Sequence, residues 1–306
     1  MTNIETIGTE SLDTVVELDG KTNGSRRQDF FAKRFRAQEK HPQAFISLGA
    51  ASGGKTVGFV CCHMLKGEFG SDELTAVLDA MSVEPESQGH GVGHELMSRL
   101  ATEIRSRGGR EIQTQAGWKQ PEVLDFFAST GFRMAPRLIL ERSTPDFSDP
   151  TRDEFDDLSS DEVLVRSLLP EDLDKVIRID EKITGHPRHD FFKRKFEEVL
   201  YESGVRLSLI AEMDDMVVGF MMARVDFGEF GRTASEAVID TLGVATDFRS
   251  KHVGHALLTQ LLGNLATLQV DSVRSEVKWN NHGILGFLDS CGFEPSQRLA
   301  LSCGLA

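Results

Sequence analysis

Residues 82–100 read SVEPESQGHGVGHELMSRL. A Val-x-Pro closes an alternating apolar run, three glycines (Gly89, Gly91, Gly93) follow at alternate positions, and a helical pattern begins at once. Helix N-termini leave several amide N–H groups without partners and carry partial positive charge. Glycine there lets an anion approach the backbone with no Cβ in the way. A phosphate cradle and a tight strand-to-helix turn both suit this spacing. Two other nucleotide loops do not. No Gly-Lys-Ser/Thr follows these three glycines, and G-x-G-x-G lacks the G-x-G-x-x-G register with an acid about 20 residues on.

Working outward, the chain repeats itself at an offset of 161. LDTVVELDGKTNGSRRQDFF (12–31) meets LDKVIRIDEKITGHPRHDFF (173–192), VLDAMSV (77–83) meets VIDTLGV (238–244), and FFASTGF (126–132) meets FLDSCGF (287–293). Pairing 4–141 with 165–302 gives 40 identities in 138 positions without a gap. A period this long marks duplicated domains rather than solenoid units. The expected division is a first domain over 1–142, a linker over 143–161 and a second domain over 162–306. Each copy reads as a short strand, a helix and a second helix with Phe31/Phe35 or Phe192/Phe196 at i, i+4. Alternating strands, the glycine-loop helix, a strand, a short helix and a last strand follow. The fold class is α/β, an α+β mixed sheet with helices on its faces, in two tandem copies.

Composition narrows the class further. The net charge of −14 argues against nucleic-acid or anionic-lipid partners. The segment 143–161 alone holds seven acids and one Arg, as a solvated linker would. No apolar run is long enough for a membrane span, the first ten residues carry no secretory pattern, and four cysteines show no ligand spacing. A cytoplasmic protein with reduced thiols is expected. Nine histidines form no metal motif, so no metal is expected.

Strand, V-x-P, Q-x-x-G-x-G, amphipathic helix, strand, short helix and a Gly-Phe 38 residues beyond Gly93, twice in register, resemble the GNAT superfamily of N-acetyltransferases. The resemblance implies that Gln88, Gly89, His90, Gly91, Val92 and Gly93 grip the pyrophosphate of acetyl-coenzyme A. It also implies that the main chain of Met81, Ser82 and Val83 holds the pantetheine and thioester. The second copy offers Leu242, Gly243 and Val244, then Arg249, Ser250, Lys251, His252, Val253 and Gly254, with His252 where a glycine is usual. An amide that touches the cofactor falls at Gln120 and Asn281. The Tyr that often protonates the leaving thiolate is replaced by Phe127 and Leu288.

Acetyl transfer needs an amine stripped of its proton. Asp79 and Asp240 lie in apolar strands two residues before Met81 and Leu242, and alternation places Asp79 on Met81's face. A general base or amine anchor is one reading; a solvated or capped structural acid is the other. Glu68 and Glu229, in matching GEFG turns, are further candidates. Trp118 and Trp279 are expected in the core beside the sheet rather than lining an acyl channel. Arg27/Arg188 and Asp29/Asp190 open the second helix, as a surface Arg and a capping Asp or as an acceptor border. The function expected from the resemblance is acetyl-CoA-dependent acetylation of a primary amine, on a small molecule or peptide. The alternative is a non-catalytic acyl-CoA-binding sensor or scaffold.

Overall fold

A computed structural model describes residues 2–66, 74–144, 163–202, 205–226, 228–232 and 234–305. The first half runs β1 (Asn3–Thr6), α1 (Leu12–Asn23), α2 (Gln28–Lys40), β2 (Phe45–Ser52), β3 (Lys55–Lys66), β4 (Leu74–Val83), α3 (Val92–Ser106), β5 (Glu111–Gly117), α4 (Pro121–Ser129), β6 (Arg133–Met134) and β7 (Arg137–Ser143). The second half repeats it: β8 (Leu164–Ser167), α5 (Leu173–Thr184), α6 (His189–Glu197), β9 (Leu209–Met213), β10 (Met216–Asp226), β11 (Glu236–Val244), α7 (Val253–Thr267), β12 (Ser272–Lys278), α8 (His282–Ser290), β13 (Glu294–Pro295) and β14 (Arg298–Gly304).

Two seven-stranded sheets result, ordered β1-β2-β3-β4-β5-β14-β6 and β8-β9-β10-β11-β12-β7-β13. The spatial order is the same in both, as the duplication requires. The ownership of one strand is not. β14 lies antiparallel to β5 from Arg298↔Gly117 to Gly304↔Glu111, and β7 lies antiparallel to β12 from Arg137↔Lys278 to Ser143↔Ser272. The expectation that 1–142 and 162–306 each complete a sheet of their own is corrected here: the halves exchange their last strands. At the crossing, Pro136 has no N–H to offer a hairpin and disfavours a helical Ala135. Its carbonyl accepts from Trp279 N at 3.0 Å, and Ala135 N donates to Ala300 O at 2.9 Å. Ala135, Ile139 and Ala300 bury the joint. Of the expected linker, Ser143 ends β7 and 145–161 lie outside the described residues.

Each sheet is covered on both faces. On one, α3 turns Val92, Leu96, Met97, Leu100 and Ile104 into the core, the stripe expected of an amphipathic helix. On the other, Phe30, Phe31 and Phe35 of α2 pack with α1 against Phe59 and Ala80. The second half does the same with α7 and with α5 and α6.

Candidate acyl-transfer site

β4 and β5 are parallel partners only over Thr75–Val77 and Glu111–Gln113, and β11 and β12 only over Glu236–Ile239 and Ser272–Ser275. Beyond those pairs the strands part. At each parting a hydroxyl takes up the unpaired carbonyl: Thr114 Oγ1 donates to Leu78 O at 3.0 Å, and Ser275 Oγ to Ile239 O at 3.1 Å. The result is a V-shaped opening between two central strands, with a helix mouth beside it.

At that mouth Gly89 and Gly91 have φ of +76° and +86°, and Gly91 caps α3. A Cβ on either would meet no atom within 4 Å, so the loop is open toward an incoming group. Gly93 has a different role, since a Cβ there would come 2.8 Å from the Phe126 ring. Gln88 Nε2 donates to Val83 O at 2.9 Å, tying the loop to the end of β4. Met81 and Val83 are half-buried against the α3 core, while Ser82 is buried and its Oγ donates to Leu18 O at 3.2 Å. In the second half Ser250 and His252 take φ of +64° and +57°, so the same path is followed with side chains added. Val253 and Gly254 then open α7, Arg249 and Lys251 are exposed, and Leu242 and Val244 pack like Met81 and Val83. Gly243 abuts Phe220.

Gln120 Oε1 accepts from Gly117 N at 3.2 Å, whereas Asn281 Oδ1 caps α8 by accepting from Ile284 N at 3.3 Å. Phe127 and Leu288 are core residues, which accounts for apolar side chains at those positions. Trp118 and Trp279 are 58% and 46% exposed, correcting their expected burial. Arg27 and Arg188 are not surface residues: each is buried on an aspartate of the preceding helix, Asp19 or Asp180, and Asp29 and Asp190 are exposed.

The two strand acids occupy equivalent irregularities. Along β3 and β4, Cys61 faces Ala80 and Cys62 faces Leu78, so Asp79 is skipped; along β10 and β11, Met222 faces Thr241 and Ala223 faces Ile239, so Asp240 is skipped. A β-bulge breaks alternation. Asp79 therefore points toward α2, not to Met81's face as alternation predicts. It is fully buried, with His63 Nδ1 at 2.9 Å and Arg34 Nη2 at 3.1 Å. Asp240 meets Lys195 Nζ at 3.2 Å and Arg224 Nε at 3.5 Å. Glu229, buried in the second half, reaches across the seam to Arg34 at 2.6 Å and also meets Arg224 and Arg274. Glu68, its counterpart, lies outside the described residues.

His63, Asp79 and Glu229 bring ligand-type atoms within 4.8 Å of one another. The guanidinium of Arg34 already bridges the two carboxylates, so the cation at that spot is the protein's own. The openings of the two halves thus face each other across one polar cleft of about 30 Å³, lined by His63, Gln113 and Gln115 from one half and by Arg224, Asp240 and Arg274 from the other. Sequence reading missed Arg34, His63, Arg224 and Arg274. For His63 and Arg224 the available signal was a basic residue inside an apolar strand, CCHML or MMARV, at the same repeat position.

The Acetyltransferase (GNAT) family model matches residues 12–132 and again 173–293. The chain belongs to this family. Members of the GNAT family bind acyl-CoA. Among curated proteins, serotonin N-acetyltransferase 2, chloroplastic, of Oryza sativa subsp. japonica is 29% identical over 125 residues, 40% of this chain and 56% of that protein. This chain thus spans about half the length of that relative. Among solved structures, a tandem GNAT protein from the clavulanic acid biosynthesis pathway superposes with a TM-score of 0.69 at 14% identity, over 100% of this chain and 99% of that one. The fungal multi-domain β-N-acetylglucosaminidase with a glucosamine N-acetyltransferase region gives 0.68 at 15%, over 99% and 38%. These GNAT likenesses bear on the fold. Among the described residues, no helix is long and apolar enough to cross a membrane.

Proposed function

We propose that the protein is an acetyl-CoA-dependent N-acetyltransferase that acetylates a primary amine, on a small molecule or peptide, by direct transfer. One observation carries this reading: a left-handed double-glycine loop opens α3 beside the end of a central strand that has parted from its neighbour. The amides from Gly89 to Gly93 would receive the pyrophosphate, and the main chain of Met81 to Val83 the pantetheine arm. Gln88 braces the loop, and Gln120 or Asn281 borders the same opening in its half. Bound acetyl-CoA supplies an activated acetyl thioester; the chain's task is to orient it and to manage the amine's proton.

The first half is the better cofactor site in this reading. Arg249 and Lys251 offer charge, but Ser250 and His252 put side chains over the backbone that Gly89 and Gly91 leave bare. The second half then fits the non-catalytic alternative, a degenerate acyl-CoA-binding scaffold. Glu229 joins the halves through Arg34, a structural task that supports this division. Cytoplasmic residence fits the absence of thiol pairing: Cys61, Cys62, Cys291 and Cys303 are all unbridged.

The test is thiol release from acetyl-CoA with a panel of primary amines, alongside calorimetry with coenzyme A. Turnover with at least one amine and binding lost in Gly91→His support the reading. Binding without turnover across the panel assigns the chain to the sensor class.

A further inference from the structure

The family's usual proton donor is absent from both halves, yet acyl transfer must move a proton off the amine and onto sulfur. His63 lines the cleft between the halves. It sits on β3 opposite Val77, at the point where β4 and β5 part, on the α2 side of the sheet. Its Nδ1 lies on the buried carboxylate of Asp79, and its side chain keeps about 10% of its surface exposed, in the cleft that it lines. An imidazole that donates Nδ1–H to a carboxylate presents Nε2 as an acceptor lone pair. The charges around it are Asp79, Arg34, Glu229, Arg224, Asp240 and Glu198, with Arg137, Arg274 and Glu276 lining the same cleft. Arg224 occupies the equivalent place in the second half, opposite Val238. A guanidinium cannot give up its proton, so the second half has no counterpart.

We propose, resting on the acetyl-transfer reading above, that His63 is the catalytic proton carrier of the first half and that Asp79 is its positioning residue. His63 Nε2 takes the amine proton as the C–N bond forms. The C–S bond breaks with its electron pair on sulfur, and the same proton then passes from His63 to that sulfur. Products are the amide and coenzyme A thiol, and the imidazole ends as it began. One group serves as base and acid, which removes the need for a tyrosine at Phe127.

The experiment uses the full chain. His63→Gln and His63→Arg, the latter copying the second half, are assayed for kcat/KM against pH, for coenzyme A affinity by calorimetry, and beside ¹⁵N NMR of the wild-type imidazole nitrogens. Expected are a loss of about 100-fold or more in kcat/KM, loss of the acidic limb of the profile, and coenzyme A affinity within about twofold. The wild-type spectrum should show Nδ1 carrying the proton and Nε2 as the acceptor, and Asp79→Asn should disturb that tautomer. A rate within threefold of wild type in His63→Gln overturns this proposal alone. So does an Nε2 that stays protonated throughout, a result that holds even if every His63 variant fails to fold. A wild-type chain that binds coenzyme A but releases no thiol overturns the transferase reading and this proposal with it.

Discussion

The first half uses glycine at Gly53, Gly54, Gly89, Gly91 and Gly108, all with positive φ; the second half puts Asp214, Asp215, Ser250, His252 and Gln269 at the same five places, also with positive φ. Left-handed backbone is easy for glycine and costs other L-residues about 1 kcal/mol. The backbone path therefore outlived the residues that made it easy, because each turn is held at both ends by strands or helices already packed. The first half has kept the cheap, bare form of the loop, and the second has traded it for side chains. The same contrast recurs at the cleft, where His63 in the first half and Arg224 in the second hold the same repeat position, an imidazole against a permanently charged guanidinium.

The largest expected effect concerns the strands that the halves exchange. Removing residues 298–306 takes β14 from between β5 and β6 and should unfold the first half, although the deletion lies in the second. Hydrogen exchange would show protection lost over β5 while β10 and β11 stay protected; the reverse pattern would contradict the exchange of strands. A chain of residues 1–144 should form a homodimer by light scattering, each copy lending β7 to its partner as β14 now lends itself.

Next in size is the loop. Gly91→His should weaken coenzyme A binding by tenfold or more, about 1.4 kcal/mol, whereas His252→Gly should raise affinity in the second half and stabilise it by about 1 kcal/mol. Calorimetry of both variants resolves the ranking. Equal affinities in the two halves of the wild type would remove the contrast.

A smaller difference lies in acid response. Asp172 is buried, which would raise its carboxyl, but the Arg166 guanidinium and the Leu169 N–H outweigh burial and hold it below the ordinary range. Ser11 stands at its place in the first half. A depressed folded value means stability that is present above the unfolded carboxylate value of about 3.9 and lost as pH falls below it. Asp172→Asn should therefore lower stability at pH 7 and flatten its decline toward pH 2, as read by urea unfolding at each pH. The smallest effect is chemical: burial pushes the Cys61 thiol up to about 12. A maleimide should label half-exposed Cys303 first and leave Cys61 untouched in the folded protein.

Much of this was readable from residues alone. The gapless offset of 161 marked the duplication, and Phe31/Phe35 and the α3 stripe marked which helix faces are buried. The loop was legible because glycine spacing is a local code, read from a few neighbouring residues. The site's acids were legible only as residues. Their direction depended on the bulges at Asp79 and Asp240, and a bulge is a register mismatch between two strands, invisible in either one. Trp118 and Trp279 were misplaced for a related reason: nothing nearby in sequence says that their strand ends reach solvent.

The sequence by itself determined two copies of one mixed α/β fold and a bare helix mouth in the first, because periodicity and glycine act over a few residues. Only the tertiary structure decided which half owns β7 and β14. Either sheet accepts either strand, since the repeats are alike, and the choice falls to the extended crossing at Ala135–Pro136 and the chain's return through Ser296. It also decided that Arg34, His63 and Glu229 meet around Asp79. Those residues are far apart in sequence and come from two halves, so their contact exists only once the two halves have packed together.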